Sequence, residues 1–427
     1  MARDSLYPDS VKPGKPILSE LPTGWKRSSL KNCLNVEARK ADIKNDHEYD
    51  LVTVKRSRGG VVRREHLKGK DISVKSQFFI NEGDFLISKR QIVHGACGLV
   101  PKELEGSIVS NEYCVFTGKP GFYLPYIEYL AETLYFQQTC FHSSIGVHIE
   151  KMIFKLDRWF KWPFNIPPIF EQKRIAQILS TWDKAITTTE QLLANSQQQK
   201  KSLMQQLLTG KKRLLDKNGV RFSGEWIHGR LGDLCTFKGG SAFKEVYQGQ
   251  TAGELPFIKV SDMNLPGNER SIEYSNNWVS VETAKLMKAK PFPESSIVFA
   301  KVGAALLLNR RRILSRPTII DNNMMAAIPS NVADTEFLYQ LLMAIDFARF
   351  VQEGAVPSIN QGDLSSFKLS YPDVEEQQKI AAALSTTDQE IAVLQQKLEA
   401  LKQEKKALMQ QLLTGKRRVK IDNKEVA

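Results

Sequence analysis

Residues 171–213 and 376–418 of the chain are copies of one another. Aligned at a constant offset of 205 residues, without a gap, they are identical at 24 of 43 positions, including the whole of 203–211 and 408–416. A repeat of so long a period reflects duplication of a whole unit, because solenoid and propeller repeats recur every 20 to 50 residues or so. The chain therefore reads A-B-A′-B′, with each B segment closing its unit.

Both B segments predict long helices. They lack internal Gly and Pro, are rich in Gln, Lys, Leu and Ala, and end at Gly210 and Gly415, residues suited to a left-handed C′ position. Pro167 and Pro168 precede the first helix. Asp373, with Glu376 three residues on, makes a capping-box pattern for the second. Lys211, Lys212 and Arg213 follow one helix and Lys416, Arg417 and Arg418 the other. Complementing the helix dipole and contacting phosphate explain these triplets equally well.

A heptad seam runs along each copy: Ile175, Leu179, Trp182, Ile186, Thr189, Leu193, Ser196, Lys200, Leu203 and Leu207 in the first, and Ile380, Leu384, Thr387, Ile391, Leu394, Leu398, Leu401, Lys405, Leu408 and Leu412 in the second. Fifteen of these twenty positions are apolar. So narrow a seam on a helix about 57 Å long calls for one partner helix, and the other copy is the nearest. Parallel pairing in register would face Lys200 with Lys405 in a partly buried layer, which is unfavourable. Antiparallel pairing instead sets Lys200 opposite Thr387 and Lys405 opposite Trp182, the latter as a cation–π contact. The expectation is an antiparallel intramolecular coiled coil with pseudo-two-fold symmetry and the two A segments at its opposite ends. The alternative is two unrelated amphipathic helices packed on separate domains.

The A segments carry short β-rich runs, at 49–55, 84–88, 257–260 and 296–300, punctuated by Gly and Pro, so the fold class reads as α+β. Both open alike, with Pro-Thr-Gly-Trp at 22–25 and Gly-Glu-Trp at 224–226, and then diverge. The expected division is a tail at 1–20, a globule at 21–167, a spacer helix at 168–213, a second globule at 214–371, a second spacer helix at 372–418 and a tail at 419–427.

Lys and Arg outnumber Asp and Glu by 60 to 47, which suggests an anionic partner, most commonly nucleic acid. Basic clusters fall on expected loops and strand ends: Lys55, Arg56, Arg58, Arg63 and Arg64; Lys89 and Arg90; Lys259; Lys301; and Asn309, Arg310, Arg311 and Arg312 with Arg316. Gly59, Gly60, Gly95 and Gly303 lie among them and allow close backbone approach to phosphate, while Arg, Lys and Asn read base edges, so these residues are the candidate DNA contacts.

Catalytic and cofactor motifs are missing from the sequence. The glycine-lysine pairs at 69–70, 118–119, 210–211 and 415–416 are not followed by Ser or Thr, as a Walker loop requires, and there is no dinucleotide loop. The five cysteines show no CxxC spacing, and His142 and His148 read as ordinary polar residues, so neither a zinc site nor a disulfide framework is expected. Asn165-Ile166-Pro167-Pro168 departs from the Asn-Pro-Pro-Tyr motif of amino-methyltransferases and reads as a helix entry. The acids near Pro372 miss the nuclease spacing. No apolar run approaches the length of a membrane span, and residues 1–15 lack a signal-peptide core, which reads as a cytoplasmic protein.

The domain order, with Phe170-Glu171-Gln172-Lys173-Arg174-Ile175-Ala176 and Glu375-Glu376-Gln377-Gln378-Lys379-Ile380-Ala381 opening the helices, resembles the specificity subunits of type I restriction-modification systems. Further phrases similar to that family are 82–89 and 108–111 in the first globule, and 258–263, 300–303 and 321–325 in the second. The resemblance spans nearly the whole chain. It implies a non-catalytic DNA-recognition subunit in which each globule is a target recognition domain reading one half of a split, asymmetric DNA site. The helices would set the gap and dock two modification methyltransferase subunits. S-adenosylmethionine, ATP and magnesium would belong to those subunits and to the restriction (translocase and nuclease) subunits, with no cofactor on this chain. The competing reading, a coiled-coil adaptor with two protein-binding globules, differs in predicting no steeply salt-dependent DNA binding. If the helices act as a ruler, inserting four residues within 197–201 alters the preferred gap, measured by binding to sites of varied spacing. An unchanged preference contradicts the ruler.

Overall fold

The computed structural model describes residue 11 and residues 14–351 and 356–419, so the expected tails at 1–20 and 419–427 lie partly outside the described residues. The chain divides into two compact units, one formed by residues up to 189 with those from 397 onward, the other by residues 190–396. Each unit thus holds one globule, the first half of one long helix and the last half of the other.

The long helices are Ile169–Leu207 and Val374–Leu413. Gly210 and Gly415 take φ of +71° and +68° just beyond them, the left-handed stop that L side chains resist. In the first unit Ile175 and Leu179 share a core with Leu412 and Leu413; in the second, Leu207 and Leu208 share one with Ile380 and Leu384. The start of one helix therefore packs on the end of the other, and the pairing is antiparallel. All twenty seam positions are buried or half-buried.

The seam lysines find different partners from those the register suggested. Lys405 Nζ lies 2.7 Å from Asp183 and 3.3 Å from Glu132, with its cation–π contact on Tyr129 at 5.7 Å instead of Trp182. Lys200 Nζ lies 2.5 Å from Asp388, next to Thr387. A half-buried ammonium gains more from a carboxylate one residue along than from an indole face, and the long lysine stem makes that reach. Asp183 and Asp388 are themselves related by the 205-residue offset.

At the start of the second helix the Asp373 carboxylate accepts from Glu376 N at 2.9 Å, so the cap is formed, but the return half of the box is missing. Glu376 is instead almost fully buried and accepts from Arg213 Nε at 2.5 Å, Arg213 Nη2 at 2.6 Å and Trp226 Nε1 at 3.2 Å. Its counterpart Glu171 accepts from Arg418 Nε at 3.0 Å and Trp25 Nε1 at 3.2 Å, with Arg418 Nη2 on its other oxygen. The last residue of each basic triplet is therefore a clamp on a helix start, neither a dipole partner of its own helix nor a free phosphate ligand. Gln172 and Gln377 complete the node, donating to Pro167 O at 2.8 Å and Pro372 O at 2.9 Å.

In the first unit, strand Lys26–Ser29 pairs with Pro163–Ile166, so Asn165 sits in a strand that leads directly into the helix. The analogous pair in the second unit is Ile227–Arg230 with Lys368–Tyr371. Beyond this shared stem the globules differ. The first holds an antiparallel sheet in the order Leu34–Glu37, Tyr113–Gly118, Phe85–Ser88, Cys97–Leu99, and a five-stranded sheet whose edge is the long hairpin Glu48–Val54 and Val61–Lys68. The second has a five-stranded sheet centred on Ile297–Ala300 and a three-stranded sheet in which Leu255–Ile258 pairs in parallel with Ile319–Ile320. An aromatic cluster around the buried Trp159, with Phe116, Phe136 and Phe164 against it, fills the first core beside the helices.

Replacing Glu376 with Ala leaves the Arg213 guanidinium and the Trp226 N–H without their acceptor. The opening free energy of amides 377–381, read by native-state hydrogen exchange, is expected to fall by about 3 kcal/mol.

Candidate nucleic-acid interface

In the first unit the structure brings two of the basic clusters together. The hairpin tip at residues 55–60 closes with Lys55 N on Gly60 O at 3.0 Å and places Ser57, Arg58 and Gly60 at positive φ. This turn docks on the loop after Phe85–Ser88 through Ser57 N to His94 O at 2.7 Å and Arg58 N to Gly95 O at 2.9 Å. Arg56 reaches Gln91 Oε1 at 2.8 Å and Glu150 Oε2 at 2.7 Å. Gly98 lies so close beneath the hairpin that a Cβ there would touch Gly60. Lys55, Arg56 and Arg58 are all exposed, and Arg90 beside them is exposed and paired with Glu112 at 2.6 Å. Lys89 is half-buried, with Nζ on Asn111 O at 2.5 Å.

Arg63 and Arg64 lie farther down the hairpin on an exposed face. The register shifts between Leu51 and Val52, leaving Arg64 as the extra residue of a bulge. Arg63 pairs with Asp50 at 2.9 Å, and Asp50 also bonds His66, whose pKa is raised by hydrogen bonds to Asp50 and Glu48. His94 is buried beneath the turn, where burial and then the Arg56 charge lower its pKa, so near neutral pH the loop stands on an uncharged imidazole.

The second unit sorts its candidates differently. Lys259 follows Leu255–Ile258, contacts Gln248 and lies 5.6 Å over the Phe243 ring, which stacks on Phe257. Lys301 follows Ile297–Ala300 and lies close over Gly239. Asn309 is a turn residue at φ +54°, donating to Asp346 at 2.8 Å and accepting from Phe347 N. Arg310 is exposed and contacts Asn264. Arg316 is also exposed, 3.9 Å from Glu273.

Arg311 and Arg312 do not belong to an exposed cluster. Arg311 is completely buried, its guanidinium 3.8 Å over the Phe347 ring and donating to Ile345 O at 2.9 Å; burial pulls its pKa down to about 10. Arg312 lies in a strand, half-buried, donating to Met263 O at 3.1 Å and to Asn268 O. A run of three arginines around a strand start alternates inside and outside, so one of the three faces the core and ties loop carbonyls there.

All five cysteines are free and buried. Burial raises the Cys33 and Cys114 thiols to about 11 and those of Cys97 and Cys235 to about 12, far from nucleophilic or ligating thiolates. Among the described residues, no group of three or more His, Cys, Asp or Glu side chains is placed to hold a metal ion, and no helix is long and apolar enough to cross a membrane.

Residues 22–196 and 223–403 both match the family profile described as the type I restriction modification DNA specificity domain. The chain belongs to that family. It is the DNA-specificity subunit of a type I restriction-modification system, a non-catalytic component of the enzyme complex. The MjaVIII specificity subunit of Methanocaldococcus jannaschii is 24% identical over 361 residues, covering 80% of this subunit and 77% of that protein. Among solved structures, the S subunit from M. genitalium superposes with a TM-score of 0.57 at 13% identity, over 95% of this subunit and all of that chain. A chain from a study of complex assembly and conformational transition in the type I system gives 0.54 at 18% identity, over 92% and 98%. At these identities the structures establish the shared fold.

The burial contrast within the arginine run of the specificity subunit is directly measurable. Arg311→Ala removes a buried guanidinium and is expected to cost at least about 2 kcal/mol of unfolding free energy, whereas Arg310→Ala stays within about 0.5 kcal/mol of the parent. Equal effects in urea denaturation would contradict the assignment of Arg311 to the core.

Proposed function

We propose that each globule is a target recognition domain for one half of a split, asymmetric DNA site, with the duplicated helices fixing the gap and docking two modification methyltransferase subunits. One observation carries this reading. Two globules with different sheets stand on stems that are copies of one another and keep the same Trp–Glu–Arg clamps and Lys–Asp pairs. Identical mountings serve identical partners, and dissimilar globules serve dissimilar targets.

In this reading the candidate contacts are the hairpin tip Lys55, Arg56 and Arg58 with Lys89 and Arg90 in the first unit, and Lys259, Lys301 and Arg310 in the second. Exposed cations on turns neutralise phosphate and supply salt-dependent affinity, while the side chains beside them read base edges. Joining two weak readers raises the effective concentration of the second contact, so affinity appears only where both half-sites occur at the right spacing. Adenine methylation with S-adenosylmethionine and ATP-driven translocation and cleavage belong to the modification and restriction subunits.

Co-expression with the modification subunit of the same system, followed by mapping of methylated adenines in the host genome, is expected to return a bipartite motif with a constant gap. Methylation unchanged from a strain lacking this chain would overturn the reading. Arg58→Ala is expected to lower the slope of log affinity against log salt by about 1, as loss of one phosphate contact requires.

A further inference from the structure

The duplicated stem builds a similar groove twice, and among the described residues the segment leading into the stem strand walls only the first. In the first unit a cavity of about 610 Å³ lies among Met409 and Leu413 of the second long helix, the start of Leu134–His142, and Phe164. The chain's own leading segment forms one wall of it, with Ile17, Leu18 and Ser19 on the lining. Asn165 holds that segment, donating to Ser19 O at 3.1 Å and Glu20 O at 3.0 Å, and Arg27 adds a bond to Ser19 O at 3.2 Å.

The offset of 205 carries Met409 and Leu413 onto Met204 and Leu208, and Phe164 and Asn165 onto Leu369 and Ser370. These four residues line a cavity of about 710 Å³ in the second unit. There the strap is gone. The segment before Trp226 folds back on itself, Asp216 N on Val220 O at 2.8 Å and Phe222 N on Leu214 O at 3.1 Å, and none of residues 214–225 lines the groove. The polar anchors bond each other instead, His228 Nδ1 and Ser370 Oγ at 2.7 Å. The walls also differ in charge. Among the described residues, the first groove carries Glu132 together with Arg58 and Lys406, and the second has no carboxylate on its lining and four cations, Lys200, Lys201, Arg349 and Lys368. Of the four, Lys200 is paired with Asp388, which also accepts from Gln340, and the other three are exposed beside the apolar floor of Trp226, Leu208 and Met343.

We propose that the groove of the second unit is a docking site for an extended, acidic and apolar segment of the modification subunit, laid across it as residues 16–20 lie across its twin. The proposal rests on the reading that this chain docks modification subunits. An apolar side chain of the guest fills the space between Trp226 and Met343. Its carboxylates meet Lys201, Arg349 and Lys368, which fix its direction and reject basic segments. The Ser370 hydroxyl and His228 imidazole, turning from each other to the guest backbone, replace Asn165 and Arg27. Because the first groove is already walled by the chain itself, the two units present unlike surfaces despite their duplicated stem.

The test uses the full chain and the modification subunit of its own system. Complex formation by the wild-type chain is measured first by light scattering, and its failure would overturn the docking reading and this proposal together. With the wild-type complex in hand, Met343→Glu and the exposed pair Arg349→Glu with Lys368→Glu are each expected to weaken association at least tenfold by calorimetry. Leu134→Glu, at the twin groove, is expected to change it less than twofold. A photo-crosslinking side chain at Met343 is expected to label an acidic, apolar segment of the modification subunit. Full affinity in the Arg349 and Lys368 variant, or crosslinks to DNA, to a second copy of this chain or to a basic segment, would overturn the groove while leaving the docking reading intact.

Discussion

A carboxylate taken out of water at the start of each long helix is the constraint on which the rest of the molecule depends. Glu171 and Glu376 are each about 99% buried, and a buried carboxylate is tolerated only when its oxygens are fully occupied by donors. Each receives an indole N–H from the strand that opens its globule and a guanidinium from just beyond the end of the partner helix. Three stretches of chain far apart in sequence are thereby held at one point: the globule's first strand, the start of one helix and the end of the other. A helix propensity or a hydrophobic seam alone would allow the pair to slide by a heptad. The clamps at the ends and the Lys–Asp pairs within the seam set one register, because a slip strands two buried acids and two half-buried ammonium groups at once.

That division of labour explains why the globules are free to differ. Each joins the stem through a two-stranded pair whose second strand runs directly into a long helix. The clamp draws on the residue before that pair and on the helix ends, while the seam also takes Glu132 and Tyr129 from the first globule and Gln340 from the second. The parts of each globule away from the helices have cores of their own, such as Val52, Val54, Val61 and Leu86 in the first and Ile258, Val298 and Ile320 in the second, so their sheets, turns and surface cations can change without disturbing the clamp. The hairpin of the first globule, docked by two backbone bonds on the His94 loop, and the lysines at the strand ends of the second are two unrelated solutions mounted on one fitting.

Much of this organisation was legible in the sequence, for a physical reason. The duplication, the helices, their stops and their antiparallel pairing follow from period, glycine placement and the cost of facing Lys200 with Lys405, all properties of local sequence. The clamps were missed, although a signal existed. Glu171, Asp183 and Arg213 are identical to their counterparts across the 205-residue offset while many neighbours between them have changed, which is unusual for residues on a solvated helix face. Read as a capping box, Glu376 was assigned to the nearest backbone donor, but a guanidinium offers two charged hydrogen bonds to one neutral one and wins the carboxylate. The globules were less legible because their strands are short and pair across long separations, as Leu51 with Ile108 or Phe257 with Ile319 do. Whether a cation such as Arg311 faces in or out depends on that pairing and not on its immediate neighbours.

The two units share a stem but not the segment that leads into it. Duplication gives both units a similar groove between stem strand and helix end, but the segments that precede the stem strands differ, and in the first unit residues 17–19 lie on the groove's lining. Their counterpart in the second unit follows directly from the first long helix and spans residues 211–226 between the Gly210 stop and the strand at Ile227, where it folds back on itself. The internal repeat, already imperfect at 19 of its 43 aligned positions, is broken further by how the chain enters each stem strand. The groove walled by residues 17–19 in one unit is bordered by the exposed cations Lys201, Arg349 and Lys368 in the other, because the segments that enter the two stem strands arrive by different paths.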